Sequence, residues 1–223
     1  MTSTEPVRVD AKLALGWLHT ARFLTTAPQL EHLPALDVAE IAFVGRSNAG
    51  KSTCINTLTQ QNRLAFASKT PGRTQSINLF SLGKQGLTDA VLADLPGYGY
   101  AAVARTAKRA WQEVMADYLA QRPSLAGIVL LVDSRHGLTQ LDQQLLEFVA
   151  PRVGTGEVRL LLLLTKADKL SRREAQAALA QTQQALGAYA TDQADIGVTL
   201  FSALTREGLE DVALALRQWV EQP

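Results

Sequence analysis

The chain of 223 residues has a single cysteine, no long apolar segment and a net charge of only +1. Cys54 cannot form an internal disulfide, which excludes a disulfide-stapled secreted scaffold and fits the cytoplasm. No apolar run reaches the roughly 18 to 20 residues that a membrane span needs. The best run, 160–164, has the length of a buried strand. With 47% hydrophobic and 19% charged residues, the chain is expected to fold around a sizeable core.

Basic residues are concentrated in one part of the chain. Between residues 52 and 112, seven basic residues stand against two acidic ones. The seven are Arg63, Lys69, Arg73, Lys84, Arg105, Lys108 and Arg109. Such runs are usually solvated side chains, but they also suit a surface that meets phosphates. Both interpretations stay open.

Strand-like and helix-like segments alternate along most of the chain. The predicted strands are 40–45, 77–82, 88–93, 127–133, 158–164 and 197–201, and the predicted helices are 51–58, 104–119, 139–149, 171–186 and 206–220. Continuous Leu, Val and Ile runs between helices predict a three-layer α/β/α fold with a mostly parallel sheet. The strands at 77–82 and 88–93 have a short link between them, so they should form an antiparallel hairpin.

The first 37 residues differ from the rest. They contain a Ser/Thr/Pro-rich start, an amphipathic stretch over 11–23, and the breakers Pro28 and Pro34. We therefore predict an N-terminal extension over 1–37 that packs on a single domain over 38–223.

Residues 45–52 read Gly-Arg-Ser-Asn-Ala-Gly-Lys-Ser and lie between a predicted strand and a predicted helix. This pattern in this context predicts a phosphate-binding loop. Glycines let backbone N–H groups curl around phosphates, and the helix N-terminus adds a favourable dipole. Lys51 would reach the β- and γ-phosphates, and the Ser52 hydroxyl would ligate Mg²⁺.

Residues 94–97 read Asp-Leu-Pro-Gly and follow a predicted strand, where open α/β sheets bind ligands. Asp94 can hold the metal through water, and the Gly97 N–H can meet the γ-phosphate. The tetrapeptide is also a good turn, but its position about 45 residues after the phosphate loop favours the site.

Residues 165–168 read Thr-Lys-Ala-Asp after the Leu-rich strand. A carboxylate there can accept hydrogen bonds from the ring N–H and the exocyclic amine of guanine, and adenine presents neither in that arrangement. The stem of Lys166 can cover the face of the base. Taken alone, the segment could equally be a helix N-cap. Residues 201–203, Phe-Ser-Ala, would supply a backbone N–H to the guanine oxygen.

Residues 70–75 read Thr-Pro-Gly-Arg-Thr-Gln and form an acid-free loop before the hairpin. A threonine there can bring its hydroxyl to Mg²⁺ and its N–H to the γ-phosphate, which orders the loop only in the triphosphate state. Without the other motifs the segment would be called a loop. Thr70 and Thr74 are the two candidates.

The ordered motifs resemble those of translation-factor-class GTPases, and most of all the EngB (YihA/YsxC) family in the TrmE, Era, EngA and EngB group. The marks are GRSN, KTPGRTQ ahead of INLF, and DLPGYGYA, and the similarity runs from about residue 20 to 220. The resemblance implies a P-loop GTPase fold whose six-stranded sheet has one antiparallel hairpin strand. It implies a Mg²⁺-dependent protein that binds GTP and GDP, and it favours Thr74 over Thr70.

The resemblance also assigns site residues. Nucleotide binding is assigned to Gly45, Arg46, Ser47, Asn48, Ala49, Gly50, Lys51, Ser52, Gly72, Arg73, Thr74, Gln75, Ser76, Asp94, Leu95, Pro96, Gly97, Thr165, Lys166, Ala167, Asp168, Phe201, Ser202 and Ala203. Metal binding is assigned to Ser52, Thr74 and Asp94, and catalysis to Lys51, Thr74, Gly97 and Asn48.

Two positions bear on hydrolysis. Tyr98 stands where Ras-like proteins place the Gln that orients the attacking water, so intrinsic hydrolysis should be slow. Asn48 matches the asparagine that coordinates potassium in relatives of this group, where K⁺ supplies charge as an arginine finger would. Alternatively, Asn48 only stabilises the loop. Arg73 could instead act in cis or point to solvent or RNA.

The resemblance implies assembly of the large ribosomal subunit, with the subunit precursor and its rRNA as partners of a cytoplasmic monomer that binds no DNA. The alternative is a nucleotide-gated binding module for cell division and septum formation. Tyr98 and Tyr100 either pack against the following helix or stack on RNA bases, with Lys108 and Arg109 on phosphates. A third interpretation is a small-molecule kinase, but such an enzyme would not need the Thr-Lys-Ala-Asp motif.

Three further residues have a structural interpretation. Trp111 and Trp219 lie on predicted amphipathic helices and are expected in the core. Cys54 lies just after the phosphate loop, where burial is favoured over redox sensing.

Overall fold

The structure is a computed structural model that describes residues 10–65, 76–84, 86–99 and 105–221, with only the backbone for 105–112. Its strands are β1 Arg22–Ala27, β2 Ala39–Gly45, β3 Ile77–Leu82, β4 Ala90–Asp94, β5 Leu125–Asp133, β6 Arg159–Thr165 and β7 Ile196–Phe201. Its helices are α1 Ala11–Leu18, α2 Lys51–Leu58, α3 Arg105–Gln121, α4 Gln140–Gly154, α5 Arg172–Leu186 and α6 Leu209–Glu221. No helix within the described ranges is long and apolar enough to cross a bilayer.

The strands form one sheet in the order β1-β3-β4-β2-β5-β6-β7. β3 is antiparallel to both of its neighbours, whereas β4, β2, β5, β6 and β7 are mutually parallel. Helices α1, α2 and α6 pack on one face of the sheet, and α3, α4 and α5 pack on the other. The predicted three-layer class and the predicted hairpin are therefore confirmed.

Burial on both faces explains the apolar runs of the central strands. In β6, every residue from Leu160 to Thr165 is buried. Gly127 in β5 lets α6 approach closely, since a Cβ there would lie 2.2 Å from the Trp219 ring. Trp219 and Cys54 are buried as predicted, and burial raises the pKa of the Cys54 thiol. The side chain of Trp111 lies outside the described part.

The sheet has seven strands, not the six that the resemblance implies. The additional strand, β1, lies in the segment that was predicted as an N-terminal extension. The amphipathic stretch forms the helix α1 only as far as Leu18, and β1 follows it. β1 covers the edge of β3, whose backbone groups would otherwise be unpaired. Trp17 on α1 is buried, donates from Nε1 to Asp89 Oδ1 at 3.0 Å, and lies under the Arg217 guanidinium. The boundary at residue 37 stays a prediction.

A buried carboxylate anchors the sheet at the end opposite the phosphate loop. Glu40, at the start of β2, is fully buried. It accepts hydrogen bonds from the Tyr118 hydroxyl, from Arg122 Nη2 at 2.6 Å and from Ser124 Oγ at 2.8 Å. Arg122 Nη2 also donates to the Pro34 carbonyl at 2.7 Å. This cluster ties the C-terminal end of α3 and the N-terminal segment to the central strand.

Replacing Glu40 by alanine should lower the free energy of unfolding by about 3 to 5 kcal/mol, because it leaves the Arg122 charge without its buried partner. Urea unfolding followed by circular dichroism measures this loss. Glu157→Ala is the matched control, since it removes a carboxylate that is 58% exposed and pairs with Arg152. The control should lose less than about 1 kcal/mol. Equal losses in the two variants would contradict the anchoring role.

Candidate functional site

The described motif segments meet at one edge of the sheet. Residues 45–52, 94–97, 165–168 and 201–203 follow β2, β4, β6 and β7, which are parallel, so their carboxyl ends lie together. Of the segment 70–76, only Ser76 is described, directly before β3. Gly72, Arg73, Thr74 and Gln75 lie outside the described residues, as do Thr70, Lys69 and Tyr100. The side chains of Arg105, Lys108 and Arg109 lie outside them too.

The phosphate loop runs from β2 to α2 with the backbone that its glycines allow. A Cβ on Gly45 would lie 2.8 Å from the Leu131 carbonyl oxygen, so a side chain here would push β2 away from β5. Gly50 has φ +96° and precedes Lys51, where α2 begins. The first intrahelical bond is donated by Cys54 N–H to the Gly50 carbonyl at 2.8 Å. The earlier N–H groups of the helix therefore have no intrahelical acceptor and suit an anion.

Lys51 and Asp94 meet in the centre of the site. The Lys51 ammonium donates to Asp94 Oδ1, and the Asp94 side chain is 1% exposed. The other oxygen, Asp94 Oδ2, is buried and has no hydrogen-bond partner among the residues that the structure describes. An orphaned buried carboxylate oxygen requires a further partner, and a cation is one that supplies it.

The donor set around Asp94 fits Mg²⁺ held together with phosphates. Magnesium sites of this kind use one or two protein oxygens, with phosphates and water completing the octahedron. Ser52 adds a hydroxyl in the first turn of α2, next to Lys51. Within the described ranges no group of three His, Cys, Asp or Glu residues could hold a metal by itself.

The end of β6 and the residue after it hold the phosphate loop by its carbonyl groups. Thr165 Oγ1 lies 2.6 Å from the Ala49 carbonyl oxygen and donates to it. Lys166 Nζ donates to the Asn48 carbonyl at 2.8 Å and to Asp133 Oδ2 at 2.9 Å. The structure thus joins two motifs that are more than a hundred residues apart in the chain.

Asp133 is a residue of this site that the sequence analysis missed. It ends β5, and its carboxylate accepts from Arg135 and from Lys166. These two cations hold the pKa of Asp133 well below its usual range, so the carboxylate is charged at neutral pH. Its position at the carboxyl end of a central parallel strand is the signal that could have identified it.

Asp168 is presented as a charged acceptor. Its Oδ1 accepts from Ser202 Oγ at 2.7 Å, and Lys169 Nζ lies 3.2 Å from its Oδ2. The Ser202 hydrogen bond is the main cause that lowers the pKa of Asp168. The segment 201–203 was expected to act through a backbone N–H, whereas here the fully buried hydroxyl of Ser202 orients the Asp168 carboxylate.

Tyr98 points into the protein. It is 4% exposed, and its hydroxyl donates to Asp142 Oδ1 at 2.6 Å on α4. Packing, one of the two interpretations of this residue, is therefore what the structure has, and its hydroxyl is held by α4. A phenol this buried cannot stack on an RNA base in this conformation. Sequence reasoning missed Asp142, because a helix-capping aspartate has an ordinary local role.

A family model described as "50S ribosome-binding GTPase" matches residues 40–166. The chain is 62% identical to the "Probable GTP-binding protein EngB" of Polaromonas sp. (strain JS666 / ATCC BAA-500), with 100% of this chain and 91% of the relative covered. It is 65% identical to the EngB of Albidiferax ferrireducens, over 93% of this chain and 96% of the relative. It is 51% identical to that of Burkholderia pseudomallei (strain K96243), over 91% of this chain and 92% of the relative.

Two solved structures show the same fold. One is described as a probable GTP-binding protein engB, and it matches with a TM-score of 0.59 and 20% identity, over 83% of this chain and 100% of that one. The other is Era in complex with MgGDPNP and nucleotides 1506–1542 of 16S ribosomal RNA. It matches with a TM-score of 0.64 and 19% identity, over 83% of this chain and 57% of that one.

Proposed function

The chain belongs to the EngB family of GTP-binding proteins, a family of P-loop GTPases, and from this premise we propose that it is a Mg²⁺-dependent switch in the assembly of the large ribosomal subunit. The observation that supports the switch most is the convergence of four motifs at one sheet edge. Three side-chain hydrogen bonds join them: Lys51 donates to Asp94, Thr165 donates to the Ala49 carbonyl, and Ser202 donates to Asp168. The GTP-binding domain spans 38–223 in this proposal, and 1–37 is its N-terminal extension.

The phosphates of GTP would lie on the loop 45–52. Backbone N–H groups and the Lys51 ammonium would hold the β- and γ-phosphates, and the Gly97 N–H would meet the γ-phosphate. Ser52, Asp94 and Thr74 would hold Mg²⁺, which when bound neutralises charge on the phosphates. Lys51 currently pairs with Asp94 Oδ1, so this ammonium has to turn from the carboxylate toward the phosphates when the nucleotide binds.

Guanine would lie between Lys166 and the segment 201–203. The Asp168 carboxylate would accept from the ring N–H and the exocyclic amine, while the stem of Lys166 covers the face of the base. The Ala203 N–H would donate to the guanine oxygen. The hydrogen bond from Ser202 lowers the pKa of Asp168 and orients its carboxylate for this task.

Ribosomal RNA is the partner that the family supports best. The matching family model is described as a ribosome-binding GTPase, and the structural relative Era is described with 16S RNA bound. The concentration of basic residues over 52–112 suits a phosphate-rich partner. In this proposal the protein acts as a monomer in the cytoplasm, without a DNA or membrane partner.

Exchanging Asp168 for asparagine should convert guanine recognition into xanthine recognition. The amide cannot accept from both donors of guanine, and a hydrogen bond to a charged group is worth about 1.5 to 3 kcal/mol. We expect GTP affinity to fall on the order of 100-fold and xanthosine triphosphate affinity to rise, as measured by isothermal titration calorimetry. Asp192→Asn, an exposed aspartate after α5, is the control and should leave both unchanged. Unchanged GTP binding in the Asp168 variant would refute the base site.

Hydrolysis should be slow in the isolated protein and faster with potassium. Tyr98 replaces the Gln that orients the attacking water in Ras-like proteins, and Asn48 is exposed in the phosphate loop with φ +69°. We propose that Asn48 binds K⁺ at the phosphates, where the added charge raises turnover by about tenfold or more in KCl over NaCl. Phosphate release measures this, and Asn48→Ala should remove the difference. Equal turnover of the wild type in both salts would contradict the potassium site.

The GTP-bound protein should sediment with precursors of the large ribosomal subunit, and the GDP-bound protein should not. Because binding to RNA phosphates releases counterions, the bound fraction should fall steeply between about 50 and 200 mM salt. The Asp168→Asn variant mixed with GTP is the control for protein that carries no bound nucleotide. Absence of cosedimentation in either nucleotide state would favour the division-linked binding module, and salt-insensitive binding would exclude contact through RNA phosphates.

A further inference from the structure

The backbone of Tyr98 is fastened to the phosphate loop. Its carbonyl accepts from Ser47 N–H at 2.9 Å, and its N–H donates to the Gly45 carbonyl at 3.2 Å. These bonds form a parallel bridge between Tyr98 and Arg46 beyond the ends of the regular strands. Tyr98, directly after Gly97, therefore adds one further parallel pairing beyond the ends of β2 and β4.

The side chain of Tyr98 is fastened at its other end. Its hydroxyl donates to Asp142 Oδ1 at 2.6 Å, and Asp142 is 1% exposed. Asp142 is itself held, because its Oδ2 accepts from Thr139 N–H at 2.8 Å and from Thr139 Oγ1 at 2.6 Å, which caps α4. Burial and the Asp142 charge raise the pKa of the Tyr98 phenol, so it remains a donor at neutral pH.

This fastening packs Gly97 closely against the phosphate loop. A Cβ built on Gly97 would lie 3.3 Å from both Ser47 N and the Gly45 carbonyl oxygen, which is close packing. The fastening also occupies a donor of the loop, because the Ser47 N–H already donates to the Tyr98 carbonyl at 2.9 Å. A γ-phosphate oxygen can accept from this N–H only after the segment 97–98 has moved away from the loop.

We propose that the hydrogen bond between Tyr98 and Asp142 is a latch that makes these two residues determine the preference between guanosine di- and triphosphate. The proposal rests on the proposed function, since it assigns a role to the same nucleotide site. GDP has no γ-phosphate and can bind with the latch closed. GTP must open the latch, so the free energy needed to break this hydrogen bond weakens GTP binding and leaves GDP binding unchanged.

The surroundings give Asp142 a second partner when the tyrosine leaves. A cavity of about 220 Å³ beside the phosphate loop is lined by Arg46 and Asp142, among other residues. Arg46 Nε is buried, and within the described part of the chain it has no hydrogen-bond partner. A guanidinium that can replace the phenol keeps the buried carboxylate satisfied, so the open arrangement is a second defined state and not a broken site.

The test compares equilibrium affinities for GDP and for the non-hydrolysable analogue GDPNP in the full chain with Mg²⁺. Tyr98→Phe removes only the hydroxyl, and we expect it to raise GDPNP affinity about fivefold or more relative to GDP. Tyr118→Phe is the matched control, since it deletes another buried hydroxyl that donates to a carboxylate, far from the site. It should leave the ratio of the two affinities within about twofold, although it lowers stability.

A second pair of variants separates the latch from the helix cap. Asp142→Ala should shift the ratio toward GDPNP as Tyr98→Phe does, whereas Thr139→Ala loosens the cap and leaves the ratio unchanged. An unchanged ratio in both latch variants, or parallel changes for both nucleotides, would overturn the latch while the proposed function stands. A wild-type protein that binds neither nucleotide would overturn the proposed function and the latch with it.

Discussion

The site depends on the hydrogen bonds that hold the carbonyl groups of the phosphate loop. In a trans peptide the C=O and the following N–H point in opposite directions. Thr165 holds the Ala49 carbonyl and Lys166 holds the Asn48 carbonyl, so the N–H groups of the next residues are turned away from β6. The segment that would select the base thus also orients the segment that would bind the phosphates. The phosphate-binding segment and the base-binding segment are therefore held in place partly by their contacts with each other.

The two ends of the sheet have different physical characters. At one end the buried Glu40 cluster is fully hydrogen-bonded and fixes the C-terminal end of α3. At the other end, two buried polar atoms, Asp94 Oδ2 and Arg46 Nε, find no hydrogen-bond partner in the described ranges. A satisfied cluster has one stable arrangement, whereas orphaned atoms gain partners when a ligand arrives or a loop moves. Motion coupled to the nucleotide is therefore expected at the phosphate-loop end.

Much of the fold could be predicted because its signals are local. Continuous apolar strands, intervening helices and the short link at 83–86 gave the layers and the hairpin, and each motif follows directly from the strand that positions it. β1 was missed because its residues are largely exposed and it forms by pairing with β3, more than fifty residues away. Asp133 and Asp142 were missed for a related reason, since each is an ordinary acidic residue until folding brings Lys166 or Tyr98 to it.

By itself, the sequence determined which residues can bind phosphate, metal and base, because a glycine pattern, a hydroxyl and a carboxylate keep their chemistry wherever they lie. Only the tertiary structure decided how these groups are oriented and what restrains them. The segment 201–203 was expected to contribute a backbone N–H, and folding placed the Ser202 hydroxyl on Asp168. Tyr98 could pack or stack, and folding buried it against Asp142. The physical reason is that hydrogen bonds are directional and short, so they are specified by distances between elements and not by the order of residues along the chain.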